Sequence, residues 1–198
     1  MAADPQRIQY MSVEEYLAYD RASDVKHEYI DGYLVALAGG TTAHNHLTIN
    51  MTVLLREHLG HSSPCRVYAS DMRVLATQKR YFFPDVVVSC DVTDHTEEND
   101  ILYQPRLIVE VLSPSTEAKD RGMKFAFYQQ RPSLQEYVLV NTQVQRVEVY
   151  RRQPEGAWLY QSYAASQQLV LSSLNVQFPL SALYAGLRIP IEDVAEDV

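Results

Sequence analysis

Apolar and polar positions alternate along the chain in two regimes, one of helical and one of strand spacing. Ser12-Val13-Glu14-Glu15 has the form of a capping box and predicts a short helix to about Asp20. The stretches 27–30 and 33–37 read as two strands around Asp31-Gly32, a pair suited to a turn with positive φ. After Gly39-Gly40, residues Leu47, Met51, Leu54, Leu55 and Leu59 recur at helical spacing. A helix over about 43–59 follows, with Thr41 or Thr42 as its cap and Gly60 as its stop.

From residue 65 onward the pattern shifts to strands, at 66–69, 72–75, 84–90 and 106–112. The last two are apolar runs with one acid in each, which suits central strands covered on both faces. The polar stretch 91–100 is expected to be a loop and the most mobile part of the chain. Ser113-Pro114-Ser115-Thr116 ends a strand and opens a helix over about 117–130, closed by Pro132 and Ser133. Strands at 135–140 and 144–151 form a hairpin, and 158–163 is a further strand. A short strand at 177–179 and a short helix near 180–185 finish the core. The acidic tail 191–198 is expected to fray. This order predicts an α/β (α+β) fold, a mixed sheet flanked by helices, in one domain spanning 1–198 with its core over about 12–184.

Composition narrows the function classes. A chain of 198 residues can bury its own core without metal or disulfide staples. With 46% hydrophobic and 21% charged residues, close to globular averages, the composition argues against wholesale disorder and a fibrous repeat. Seventeen Lys and Arg against 25 Asp and Glu, a net charge of −8, argue against coating nucleic acid by bulk charge. That balance is compatible with an enzyme that has a local basic groove and an acidic, metal-holding centre. No apolar window approaches ~18 residues, so no membrane span is expected, and the N-terminus has no secretory pattern. Cys65 and Cys90 lack metal-ligand spacing; reduced, mostly buried thiols are expected, which fits a cytoplasmic location.

The candidate chemistry begins with two acids. Asp85 follows Pro84, and Glu110 lies between Val109 and Val111. Burying an ionised carboxylate is costly unless it is paired or binds a cation. Two such acids on neighbouring strands make a hard oxygen site for Mg²⁺ or Mn²⁺, which activates a phosphoryl group and a water. The alternative is that both acids pair with Arg106, Arg73 or backbone amides. Lys124, one of four lysines, lies on the helix after the Glu110 strand. Its ammonium can orient a water or stabilise developing negative charge. The alternative is an i,i+4 pair with Asp120 on an exposed face.

These residues carry a resemblance. Phe83-Pro84-Asp85, with Asp85 twenty-five residues ahead of the acid in Val109-Glu110-Val111-Leu112-Ser113-Pro114-Ser115-Thr116, resembles the PD-(D/E)xK nuclease signature. It is most similar to the Uma family of restriction endonucleases. Lys26-His27-Glu28-Tyr29-Ile30-Asp31-Gly32, His44 with Asn50, Asp120-Arg121-Gly122-Met123-Lys124 with Tyr128, and Gln135-Glu136-Tyr137-Val138-Leu139-Val140 extend it over nearly the whole chain. The position two after Glu110 is Leu112 rather than lysine, so the resemblance is to members whose lysine comes from the following helix, here Lys124. The upstream acid matches Glu28.

The resemblance implies a restriction-endonuclease-like core: a central mixed sheet flanked by helices, with extra N-terminal and C-terminal strands. It implies a metal-dependent endonuclease that hydrolyses DNA at a site of Glu28, Asp85, Glu110 and Lys124. Asp85 and Glu110 would hold Mg²⁺ or Mn²⁺, with the backbone carbonyl of Val111 as a further ligand. Lys124 would orient the attacking water. Glu28 would bind the metal through water or complete a second site, unless it is only a solvated strand edge.

The remaining candidates are peripheral. His44 matches the family's histidine and is expected to pack or to touch substrate rather than bind metal. The string His44-Asn45-His46 is a coincidental HNH, because residues two apart on a helix point to different sides. Arg121 is a candidate phosphate contact, as are Lys119, Arg131 and Lys79-Arg80, whereas Arg146, Arg151 and Arg152 equally suit a solvated face. Fourteen tyrosines could stack on bases but are more simply strand and core residues. Ser113 and Thr116 read as turn and cap residues, not nucleophiles. Two other functions stay open: a catalytically silent binding module with a nuclease fold, and a hydrolase of a small phosphate ester. A homodimer through a late edge strand or an apolar helix face is compatible with each.

Overall fold

In the computed structural model, which describes residues 10–191, α1 (Val13–Ala22) begins at the expected capping box. Glu15 N donates to Ser12 Oγ at 3.2 Å and Ser12 N donates to the Glu15 carboxylate at 2.8 Å. β1 (His27–Ile30) and β2 (Tyr33–Ala36) form a hairpin whose turn residues Asp31 and Gly32 have φ of 50° and 100°. α2 (Thr42–Leu59) is capped by the Thr41 hydroxyl and stops at Gly60, with φ of 69°.

The strand region then gives β3 (Arg66–Ala69), β4 (Arg73–Thr77), β5 (Arg80–Phe82), β6 (Val86–Ser89), β7 (Ile101–Leu102) and β8 (Pro105–Val111). The predicted helix of 117–130 is α3 (Glu117–Lys119), a π-helical turn (Asp120–Lys124) and α4 (Phe125–Tyr128). β9 (Glu136–Val140), β10 (Arg146–Arg152), β11 (Trp158–Ala164), β12 (Gln168–Leu171), β13 (Val176–Pro179) and α5 (Leu180–Leu183) follow.

The central sheet has the order β11-β10-β9-β8-β6-β3, and an N-terminal sheet has the order β2-β1-β5-β4-β7; β12 and β13 form a separate hairpin. β8 and β9 are parallel, as are β4 and β7, and the other pairs are antiparallel. This is the mixed α/β arrangement the sequence predicts, with the extra strands at both ends. β5, β7 and β12, of three, two and four residues, were not predicted.

β8 shows how the core is divided. Leu107, Val109 and Val111 join Leu47, Met51 and Leu55 of α2 and the C-terminal hairpin. Ile108 and Leu112, one residue out of phase, join Val87, Tyr128 and Tyr137, together with Val74 and Phe82 of the N-terminal sheet. The strand is therefore covered on both faces, and Glu110 falls on the second face, in the seam between the two sheets. On the outer side of the N-terminal sheet, Tyr16 of α1 stacks on Tyr29 at 4.7 Å and packs with Tyr81.

Two expectations are corrected. The stretch 91–100 contains a 3-10 turn (Val92–His95) and is pinned by buried Asp94, whose carboxylate accepts from Ser89 Oγ, Tyr103 N and Gln104 N at 2.7–2.8 Å. Cys65 and Cys90 are joined as a disulfide rather than reduced. The β3–β6 register pairs Arg66 with Ser89, so the preceding and following cysteines face each other although 25 residues separate them. Of the acidic tail expected to fray, 191–198, all but Ile191 lies outside the described residues. Among the described residues no helix is long and apolar enough to cross a membrane.

Candidate active site

Strand register brings the two principal acids together. Val86 pairs with Val109 across β6 and β8, so Asp85, one residue before β6, faces Glu110. The Val111 amide donates to Asp85 Oδ2 at 2.7 Å, which fixes that carboxylate and leaves Oδ1 toward the site. Glu110 is 3% exposed. Burial pushes its carboxyl well above the usual range; Lys124 opposes that shift, while Asp120, Asp85 and Glu28 reinforce it. Neither Arg106 nor Arg73 pairs with these acids: Arg106 Nε donates to the Ser173 carbonyl, and Arg73 binds Asp20 and Asp100.

Glu28 enters from the other sheet. Tyr29 turns outward to Tyr16, so its neighbour Glu28 turns inward to the seam, where it is 1% exposed. It is no solvated strand edge. Lys124 Nζ donates to Glu110 Oε1 at 3.0 Å and lies 3.2 Å from Glu28 Oε1 and 3.1 Å from Asp120 Oδ1. Those last two oxygens are buried and have ion-pair distance without hydrogen-bond geometry. Burial alone would lower the Lys124 ammonium, but Glu110, Glu28 and Asp120 outweigh it and hold the group above the usual lysine range. Lys119 pairs with the other Glu28 oxygen.

Asp120 is the residue the sequence reading undervalued. The Asp120–Lys124 pair exists, but on a buried face: Asp120 is 2% exposed. Residues 120, 124 and 128 are all buried. An α-helix drifts roughly 40° every four residues, which would turn Tyr128 roughly 80° away from Asp120. The wider π turn takes up that drift and keeps Asp120, Lys124 and Tyr128 facing the sheet. The interval of four in Asp120-Lys124-Tyr128 was the available signal. The Tyr128 hydroxyl is fully buried without a hydrogen-bond partner, and its charged surroundings are led by Glu110.

His44, at the start of α2, also reaches the site. Its Nε2 is 3.3 Å from Asp85 Oδ1. The Asp85 hydrogen bond holds the imidazole pKa above its ordinary value against burial, with help from the Val111 carbonyl. His46 is exposed, as two-residue spacing on a helix requires. Arg121 goes elsewhere: its guanidinium is bidentate to Glu148, at 2.5 and 2.8 Å, and also holds Glu117. The Ser113, Ser115 and Thr116 hydroxyls bond one another in the turn, and Thr116 supplies no side-chain cap.

Glu28, Asp85, Glu110 and Asp120 thus share one seam with Lys119, Lys124 and His44. Among the described residues no three His, Cys, Asp or Glu side chains form a ready metal cage; the Lys124 ammonium stands among the acids.

Comparison with known proteins gives a consistent picture. Residues 13–183 match the Uma2 family, described as "Putative restriction endonuclease". An uncharacterised protein of Synechocystis sp. is 39% identical over 178 residues, covering 89% of this chain and 93% of its own length. A second uncharacterised Synechocystis protein is 36% identical over 151 residues, covering 75% and 85%. The crystal structure of a "putative nuclease" from Anabaena variabilis superposes with a TM-score of 0.73 at 17% identity, over 88% of this chain and 97% of that one. That likeness establishes the shared fold.

Proposed function

The chain belongs to the Uma2 family, and from that premise we propose that it is a metal-dependent endonuclease that hydrolyses DNA phosphodiester bonds. The observation that carries the reading is the opposition of Asp85 and Glu110 across β6 and β8, with the Lys124 ammonium 3.0 Å from Glu110.

The donor set suits a hard divalent cation. Asp85 Oδ1, the Glu110 carboxylate and the Val111 carbonyl are oxygen donors, and Mg²⁺ or Mn²⁺ needs only one or two carboxylates beside water and phosphate oxygens. Four acids against two lysines leave an excess of negative charge in a buried seam; burial raises the Glu110 carboxyl against Lys124, and Asp120, Asp85 and Glu28 add to that rise. A cation held by Asp85, Glu110 and Val111 would relieve that excess. The chemistry such an ion supplies when bound is polarisation of a phosphoryl oxygen and acidification of a water.

The protein's own residues do the rest. The Val111 amide keeps Asp85 in one orientation. Glu28 and Asp120 hold the Lys124 ammonium from two sides, so it carries its charge in a fixed place. From there Lys124 orients the attacking water and stabilises charge developing on the phosphate. The phenylalanine and tyrosine side chains of the second core cluster keep bulk water from this side of the site.

The test is a titration of Mg²⁺ and Mn²⁺ into the wild type and Asp85→Ala, with plasmid and single-stranded DNA present, recording ion binding by calorimetry and cleavage on gels. Ion binding and cleavage that both disappear in the variant are expected. Ion binding lost in the variant without cleavage of any DNA, but with hydrolysis of a small phosphodiester, would transfer the site to that substrate class. Absence of ion binding in the wild type would overturn the reading in favour of a silent binding module.

A further inference from the structure

The face of the β1–β2 hairpin that carries Glu28 also carries exposed apolar side chains. Glu28 and Ile30 turn toward the seam, and Ile30 packs on the second core cluster. In β2, Leu34 packs with Tyr29 on the opposite side, so Tyr33 and Val35 share the face of Glu28. The register pairs Glu28 with Val35 and Ile30 with Tyr33. Val35 therefore stands beside the candidate catalytic acid, and Tyr33 lies on its diagonal, about 7–8 Å away. Tyr33 is 48% and Val35 40% exposed, on the edge strand of the sheet.

The Tyr33 ring is also held in place. Tyr10 meets it edge to face, with centroids 6.1 Å apart at 84°. Tyr10 itself lies on the turn, where a Cβ at Gly32 would come within 2.3 Å of its ring. A half-exposed ring already packed on a neighbouring ring loses less freedom when something stacks on it than a free one does. Four cations are already committed to acids, Lys119 to Glu28, Lys26 to Asp71, Arg80 to Asp31, and Arg121 to Glu117 and Glu148, which leaves exposed Lys79, whose carbonyl accepts from Asp31 N at the turn. Following a duplex by its phosphates draws on several available cations, whereas stacking on an aromatic ring does not.

We propose that Tyr33 is a stacking platform for an unpaired nucleobase beside the scissile phosphate, which makes single-stranded nucleic acid the substrate class of this site. The inference rests on the nuclease reading. A base within a duplex has both faces covered by its neighbours and cannot use such a platform; an unpaired base can, whatever its identity.

The experiment compares the full-length wild type with Tyr33→Ala and Tyr33→Phe. Single-stranded and duplex oligonucleotides carrying 2-aminopurine are titrated with Ca²⁺ in place of Mg²⁺, reading anisotropy and quenching, and steady-state cleavage is measured with Mg²⁺. The wild type should bind single strands more tightly than duplex and quench the probe. Tyr33→Ala should bind about tenfold more weakly, without quenching, at an unchanged melting temperature. Its KM should rise with kcat nearly unchanged, and Tyr33→Phe should behave as wild type. Equal binding by Tyr33→Ala, tighter binding of duplex, or a variant altered only in self-association by light scattering would overturn the platform. Cleavage indifferent to Tyr33 would remove the platform and leave the nuclease. Tyr33-dependent stacking without any cleavage would keep the platform as a binding surface and remove the nuclease.

Discussion

Buried carboxylates in this protein fall into two kinds, separated by what satisfies them. Glu136 accepts from Arg151, Ser172 N, Ser173 N and Ser173 Oγ, and Asp94 accepts from two backbone amides and a serine. Their oxygens are saturated, and their role is to tie loops to strands. Glu28, Glu110 and Asp120 instead converge on one ammonium, and two of their oxygens lack a hydrogen bond. Lys124→Met would leave three buried acids facing one another, so a loss of about 3–5 kcal/mol is expected from urea denaturation. An unchanged midpoint would mean that the acids are not packed around that lysine. Asp85 and Glu110 were legible in the sequence because an acid inside an apolar run is conspicuous. Asp120 was not, because an i,i+4 acid–lysine pair looks the same on a buried face as on an exposed one.

At the scale of elements, the π turn decides the site's helix. It is the reason three positions spaced by four residues all reach the sheet. Gly122 sits in that turn, where an added Cβ would meet nothing within 4 Å. Gly122→Ala is therefore expected to raise stability by about 0.5–1 kcal/mol without changing cation affinity. A drop in affinity by calorimetry would show that the turn requires glycine. α1 is docked by charge as well as by tyrosines: Arg73 bridges Asp20 and Asp100, and Arg21 also holds Asp100. The Arg21 hydrogen bond, against some burial and with help from Arg73, keeps the Asp100 carboxyl below its usual value. A depressed pKa contributes stability that is present above the unfolded value and lost as pH falls through the folded one. Asp100→Asn should flatten the acid side of the stability–pH profile below about pH 4 and leave the neutral slope unaltered. An identical acid limb in both proteins would exclude this contribution.

In the described residues two larger sheets and a separate C-terminal hairpin make up the molecule, and the candidate site lies in the seam between the two larger sheets, Glu28 coming from one and Asp85 and Glu110 from the other. Each sheet alone holds an incomplete set. The disulfide adds a covalent tie between β3 and the end of β6 across 25 residues. In the chain-entropy account such a loop contributes about 3.5 kcal/mol, so denaturation with dithiothreitol should show a loss of that order. Identical curves with and without reductant would mean that the thiols are unpaired in solution.

By itself the sequence determined the local structure: the capping box at Ser12, the Asp31-Gly32 turn, the α2 stripe and two apolar strands, with Glu110 inside β8 and Asp85 just ahead of β6. Each rests on interactions within a few residues, where periodicity and turn chemistry act directly. Its resemblance to a nuclease family also pointed to Glu28 and Lys124. Tertiary structure alone decided the short strands β5, β7 and β12, the pairing of Cys65 with Cys90, the pinning of 91–100 by Asp94, and the burial of Asp120. It also turned Arg121 toward Glu148 and His44 toward Asp85. These depend on strand register and on which face of an element meets another, and a shift of one residue in register would reverse them.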